Sequence, residues 1–390
     1  MILGDKEKMN VLMLLTKIFR NDPRVYYEAE ALTEAGHDVT VLVWARHDQE
    51  HELPDVEEHD GIEVHHLHLT EADSQGLPDN PLFGNMMWWK KAYEYGVELH
   101  ERGKDFDVVH CHDLDTLMPG VKMKKKLGMK LVYDAHEIFG LMIRKDRSEA
   151  LAQGALQFEK VLASNADHII TTSRPFYEHL DKVTDRPLTI VMNCKPLPSK
   201  EYEPPSNDVP TFSYIGLLHG SRMFPKLVDI FGEMDNVRFR IAGKKENLYE
   251  EVKERSSEYS NVEFLGSIPY SDVIPETKRS DVVVCPIDPD DPNSSLALAN
   301  KQFEAMVCGR PIIVSDDTHA GEVTKEWDCG LVVEHAPESI KEAVERLRDD
   351  GELREELGKN AFSAAVKKFN WEHEKSKLIS IYEELERGDQ

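Results

Sequence analysis

The chain has 390 residues, with 73 acidic against 47 basic side chains and a formal net charge of −26. That length supports two domains with separate cores, and that charge excludes a nucleic-acid binder, because phosphate backbones demand clustered Lys and Arg. No apolar run reaches the ~20 residues of a membrane-spanning helix, and the apolar stretch at residues 11–15 is too short for a secretory signal.

Residues 9–15 are expected to form a strand, followed by a polar loop at 16–22. Asp22 then stands as N-cap before Pro23 at the first helical position. Val25, Ala29 and Leu32 recur at helical spacing, Gly36 closes the helix, and residues 39–44 form a second strand. Strand, helix and strand in that order imply a right-handed crossover and a parallel sheet. The pattern repeats with a strand at 64–69, a long helix around 88–102, a strand at 107–112, a Lys-rich helix, and strands at 130–133, 166–171 and 188–192. A proline-rich polar stretch at 196–210 marks an interdomain segment. Further strands are expected at 211–215, 237–242, 262–265, 281–286, 311–315 and 330–333, with a last helix at 371–385. The fold class is therefore α/β, with two doubly wound, Rossmann-like domains. They are assigned as residues 1–198, a linker at 199–210, residues 211–369, and a closing helix in 370–390. Five cysteines are scattered without CxxC spacing, which fits buried thiols in a reducing cytoplasm.

In open parallel sheets, ligands bind outside the carboxyl ends of the strands. Strand alternation puts His110 and His112 on one face and Cys111 on the other, which disfavours a His/Cys/His metal site. His112 and Asp113 fall where the strand gives way to loop, and they are the catalytic candidates; a structural histidine is the plain alternative, evenly balanced for His110. Asp134, Ala135, His136 and Glu137 stand at another strand end, with capping or loop packing as their alternative. The turn beginning at Gly216, with Arg222 nearby, suits a diphosphate approached by backbone N–H groups and a bidentate guanidinium. Residues 293–316 suggest a helix that ends at Gly309, ahead of Pro311 and a short strand. Asn300 and Glu304 lie four apart and share a face, with Lys301 beside them. That set could grip a hydroxylated anionic ligand, or be a solvated polar face. No GxGxxG after a strand, no Walker A and no GxSxG motif occur, so a dehydrogenase, a P-loop enzyme and an esterase lack support. Asp113-Leu114-Asp115 and the acidic run 288–291 look like DxD elements, which are common in so acidic a chain; no metal is expected.

In order and spacing, these motifs resemble glycosyltransferases of the GT-B fold, and most of all the retaining family 4. NDPRVYYEAEALTEAGHDVTVLV is similar to that family's first βαβ unit, DVVHCHD and LVYDAHE to its N-domain crevice motifs, and TIVMNCKP to its last N-domain strand. YIGLLHGSR resembles the donor diphosphate turn, NKQFEAMVCGRPIIVSD the donor signature, and FNWEHEKSKLISIYEEL the crossing C-terminal helix. The resemblance implies two domains facing a central cleft and a nucleotide-diphosphate-sugar donor held by the second domain. It implies that Glu304 accepts from ribose hydroxyls and that Arg222 neutralises the diphosphate, helped by the N-terminus of a helix over 294–306. His112 would contact the transferred sugar, while Asp22 and Arg24, with His136 and Glu137, would lie near the acceptor or diphosphate. Two departures stand out: Leu296 occupies the place of a second acid, and Leu217 that of an Arg. Asn293 or Lys301 would then take over the sugar contacts.

The acceptor is expected to be a glycan or lipid-linked glycan. Trp88 and Trp89 precede two lysines, and Lys122 to Lys130 form a basic cluster in the same domain; together they suit a peripheral contact with the inner membrane face. A core helix and an ordinary lysine face are the alternative. Two other readings remain beside a transferase: a GT-B sugar-nucleotide epimerase, and a non-catalytic transferase-like partner subunit.

Overall fold

The short β-branched and apolar runs form strands because both their faces are covered, as parallel sheets require. A computed structural model describes residues 8–45, 53–68, 81–144 and 147–388. The chain divides into two compact units: residues 1–191 with 375–390, and residues 192–374.

In the first unit the described strands are β1 (Asn10–Leu15), β2 (Asp38–Ala45), β3 (Val56–His59), β4 (Ile62–His68), β5 (Val108–His112), β6 (Lys130–Ala135), β7 (His168–Thr171) and β8 (Leu188–Ile190). Their order across the sheet is β3-β4-β2-β1-β5-β6-β7-β8. All neighbours run parallel except the β3–β4 hairpin. That hairpin was not expected; Asp60 and Gly61, at φ 51° and 80°, make its two-residue turn. Leu69, placed in a strand by the sequence, lies outside the described residues. The Pro23–Glu34 helix begins as expected, with Asp22 accepting from the Val25 N–H, and ends where Gly36 takes φ 99°.

In the second unit the strands are β9 (Thr211–Ile215), β10 (Arg238–Ala242), β11 (Val262–Gly266), β12 (Val282–Cys285), β13 (Ile312–Ser315) and β14 (Gly330–Val333), ordered β11-β10-β9-β12-β13-β14 and all parallel. The aromatic rings of Phe212, Phe231 and Phe239 fill the centre of this unit's core. Segment 196–210 is not a free linker. Arg310 donates to the Glu203 carbonyl at 2.8 Å, Asn207 donates to Asp281 at 2.8 Å, and the Tyr202 ring lies against Phe362.

Strand order reverses between β1 and β5 in the first unit, and between β9 and β12 in the second. A crevice opens at such a switch point because the connections on its two sides leave toward opposite faces. Of the sequence-derived candidates, Asp22 follows β1, His112 and Asp113 stand at the end of β5, His136 and Glu137 follow β6, and Gly216 and Arg222 follow β9, while Arg24, Asn300, Lys301 and Glu304 lie on helices.

Candidate active site

Within the first unit, β1 and β6 deliver a buried charge network. Asp134 ends near the carboxyl end of β6, fully buried, and Arg24 from the first helical turn grips it bidentately through Nε and Nη2, both at 2.7 Å. The remaining Arg24 nitrogen donates to the Val191 carbonyl at 2.8 Å. Arg24 is therefore not a loop residue offered to an acceptor or diphosphate; burial obliges the guanidinium to satisfy every donor inside the protein.

His136 sits between two carboxylates, with Nε2 2.9 Å from Asp134 and Nδ1 3.4 Å from Asp113. Burial alone would push its pKa down, but the Asp113 and Asp134 charges prevail and raise it to about 9. His136 is thus an imidazolium near neutrality. His112 is the opposite case. Burial holds it below the usual histidine value although Asp134 opposes the shift, and its Nδ1 lies 3.3 Å from Asp134. With Nδ1–H donated to Asp134, the Nε2 lone pair faces outward from that bond, and Nε2 is buried without a hydrogen-bond partner.

Asp113 adopts φ 66° and ψ 166°, a conformation rare for a residue with a Cβ. The kink lets its backbone N–H donate to the Asp134 carbonyl and its carboxylate accept from the His136 N–H. Lys17 lies 3.8 Å from Asp22 and 3.9 Å from Asp113, so the exposed ammonium of the β1 loop already faces two carboxylates. Glu137 is exposed on the same group of loops.

Glu28, His110, His112 and Asp134 each bring a donor atom within 4.8 Å of one another, a spacing that could hold a metal. Arg24 already supplies the cation: its Nη2 lies 2.7 Å from Asp134 and 3.0 Å from Glu28. A divalent ion would add its charge beside a buried guanidinium and the His136 imidazolium, so the donor set fits a metal poorly. Sequence reasoning missed Glu28 because it lies mid-helix and becomes part of the cluster only through residues about a hundred positions away.

In the second unit, β9 gives way to Gly216, whose φ is 146°, and a Cβ there would collide with Lys301 Nζ. Glycine thus lets the ammonium approach the turn. Lys301 is stacked over the Tyr214 ring at 4.4 Å, and burial is outweighed by Tyr214, Cys285 and Glu304, which hold its pKa above the ordinary value. Arg222 follows on a short turn, donates from Nη2 to Ser294 Oγ at 3.2 Å, and keeps a buried Nη1 with no hydrogen-bond partner. Glu304 is buried, and burial raises its carboxyl against the pull of Lys195 and Lys301. Lys195 was not singled out from sequence; it is buried and donates to Asn300 Oδ1 at 3.0 Å. A lysine inside the TIVMNCKP run was the available signal.

The helix expected over 294–306 is shorter, running Asn300–Val307. Asp291 accepts from the N–H groups of Asn293 and Ser294, and turns at residues 292–296 with a non-helical stretch to 299 stand there instead. Its N-terminus therefore lies at Asn300, not at Ser294. Gly309 takes φ 63° at its end, as the sequence suggested.

Trp88 and Trp89 do not form an exposed aromatic patch. Trp88 is fully buried and stacked on Trp44, and Trp89 packs on Phe158 at 5.9 Å. Pro119 within the Leu114–Leu127 helix has no N–H for the Asp115 carbonyl, and Trp89 Nε1 donates to that oxygen at 2.6 Å. Lys122, Lys125 and Lys126 are exposed, while Lys124 pairs with Asp167 at 2.7 Å. Among the described residues no helix is long and apolar enough to cross a membrane.

Comparison with known proteins matches both halves of the chain. Residues 22–193 match the glycosyl transferase 4-like domain, and residues 207–364 match glycosyl transferases group 1. Spore coat protein SA of Bacillus subtilis is 24% identical, over 92% of this chain and 94% of its own length. An uncharacterized glycosyltransferase of Methanocaldococcus jannaschii is 23% identical, over 79% of this chain and 84% of its own. Among solved structures, sucrose-phosphate synthase from Thermosynechococcus elongatus superimposes with a TM-score of 0.79 at 18% identity, covering 96% of this chain and 99% of that one. Anabaena HepE in complex with UDP and glucose gives 0.70 at 15% identity, covering 96% of this chain and 100% of that one.

Proposed function

Because this chain belongs to the GT4-like glycosyltransferases of the GT-B fold, we propose that it moves a sugar from a nucleoside-diphosphate sugar to a hydroxyl acceptor, with retention of anomeric configuration. The observation that carries the donor assignment is the Arg222 Nη1 atom, buried and without a partner at the carboxyl end of β9. A buried donor left unmet costs about 1–3 kcal/mol, which an anionic ligand would return. Arg222 and Lys301 then neutralise the diphosphate as it leaves, and Glu304 accepts from ribose hydroxyls. Negative charge that develops on the leaving group is met by fixed cations, so stabilisation needs no metal. The His112 Nε2 lone pair accepts from a substrate hydroxyl, and the His136 imidazolium with Asp113 sets the field around it. Asp22 and Glu137 line the acceptor side. Leu296 leaves the donor sugar to Asn293 and Lys301. The acceptor is a glycan or lipid-linked glycan in surface-glycan synthesis on the cytoplasmic side. Exposed Lys122, Lys125 and Lys126 supply the contact to an anionic membrane surface, without the tryptophans.

The test is a thermal-shift and calorimetric panel of nucleoside diphosphates and their sugars, headed by UDP and UDP-glucose, which the Anabaena structures hold. A native-state ligand raises the melting temperature, and Arg222→Ala and Glu304→Ala should abolish the rise. No ligand in the panel, or unchanged affinity in both variants, overturns the donor assignment. Product formed from donor alone, without acceptor, would indicate an epimerase instead.

A further inference from the structure

Behind His112 lies a second buried histidine for which the proposed chemistry has no use. The rings of His110 and His112 are stacked, 4.5 Å between centroids and 20° from parallel. His110 Nδ1 lies 2.9 Å from the hydroxyl of Tyr382, on the Trp371–Arg387 helix. Both side chains are fully buried. A phenol kept protonated by burial donates to Nδ1, which leaves the His110 proton on Nε2. That nitrogen faces Glu28 Oε2 at 3.7 Å, beyond hydrogen-bond reach. Tyr382 also lies beside His37, 5.6 Å between ring centroids. His110 therefore has one short polar anchor, and it comes from a residue 272 positions away.

We infer that Tyr382 is a positioning residue for the reaction: it orients His110, and the His110 ring is the platform that holds the plane of His112. The inference rests on the reading that His112 contacts substrate. On its other side His112 touches Asp134 and His136, each 3.3 Å from Nδ1. Asp134 fixes which nitrogen carries the proton, and the stacked ring fixes where the free Nε2 points. A neutral His110 matters as well, since a cation 4.5 Å away would repel the developing charge on any His112 that took up a proton. The Trp371–Arg387 helix thus reaches His112 through two aromatic contacts, Tyr382 to His110 and His110 to His112.

The experiment compares Tyr382→Phe with wild type in the full chain, using acceptor-dependent turnover and the nitrogen NMR shifts of His110 and His112. Loss of the hydroxyl frees the His110 ring, so kcat should fall about tenfold while KM for the donor stays within twofold. The His110 signals should change from one tautomer to a mixture, while His112 keeps the tautomer that Asp134 fixes. His110→Phe with Tyr382→Phe removes the orphaned nitrogen and keeps a stacked ring; it should recover the melting temperature and part of kcat. An unchanged kcat in Tyr382→Phe overturns the inference, and so does a loss shared equally by donor affinity with His110 still a single tautomer. His112→Gln is the reference: a wild-type rate there would overturn the role of His112 itself, whereas an inactive His112→Gln beside a fully active Tyr382→Phe overturns only the role of Tyr382.

Discussion

The two units place charge at equivalent points of two similar sheets and treat it oppositely. At the β1–β5 switch point the cations are met by carboxylates of the same unit: Arg24 by Asp134 and Glu28, His136 by Asp134 and Asp113, and Lys17 by Asp22 and Asp113. At the β9–β12 switch point, Arg222 keeps a buried nitrogen without a partner, and Lys301 leans on an aromatic ring rather than on a paired carboxylate. The first arrangement is closed and fixes proton positions. The second is unfinished and suits an anion that arrives from solution.

The largest effect that would break this contrast lies in the closed network. Asp134→Asn keeps the shape but leaves buried Arg24 only Glu28, whose carboxyl burial holds toward the neutral form, which should cost about 3–5 kcal/mol. Urea unfolding measures it, and a loss under about 1 kcal/mol would show that the network is not closed. The matching change in the second unit, Arg222→Met, should leave unfolding within about 1 kcal/mol of wild type, because it removes a single hydrogen bond. It should weaken donor affinity about 30- to 100-fold, or ~2–3 kcal/mol. If Arg222→Met destabilised the fold as much as Asp134→Asn does, the two sites would not differ in kind.

The same contrast has a pH signature. His136 has its folded pKa raised from 6.5 to about 9, so its stabilisation is fully present below pH 6.5 and is lost as pH rises through about 9. Glu28, held above the ordinary carboxyl range by burial, shifts stability in the same direction, since the native state keeps a proton that the unfolded chain releases. Unfolding free energy should therefore fall between pH 6.5 and 9, by an amount on the order of 3 kcal/mol, and His136→Asn should flatten the fall. A wild-type profile that is flat across this window would contradict an imidazolium at His136.

Much of the fold was legible in the sequence because doubly wound sheets write themselves plainly. Strands such as β1, β12 and β13 are almost wholly apolar, and Asp22, Pro23, Gly36 and Gly309 mark helix ends by local chemistry alone. The β3–β4 hairpin escaped although Asp60-Gly61 signals it, because Glu57, Glu58 and His59 look like loop. The start of the Asn300–Val307 helix was misplaced because the competing Asp291 cap acts on N–H groups outside any helical pattern. Candidate residues could be singled out where a motif carries them, as with Glu304 and His112. The network around His112 could not, since Arg24 and Asp134 are 110 residues apart and His110 and Tyr382 are 272 apart. No local spacing rule connects such pairs; only the sheet order brings them together.

The smallest expected effect tests the unfinished site at its most local point. Gly216 is where Lys301 Nζ approaches the backbone, and a methyl group there would collide with that nitrogen. At φ 146° an alanine is also strained, so Gly216→Ala should cost about 1–2 kcal/mol in urea unfolding. The ammonium can swing aside on its flexible stem, and the fold should survive. What changes is the position of the positive charge, so donor affinity should fall about tenfold while nucleoside affinity, which needs no phosphate contact, stays as in wild type. Gly216→Ala combined with Lys301→Ala should recover the part of the stability lost to the collision, the backbone strain remaining, yet bind the diphosphate no better than Lys301→Ala alone. Equal weakening of nucleoside and diphosphate would instead place Lys301 at the base or ribose, and the charge contrast between the units would then rest on Arg222 alone.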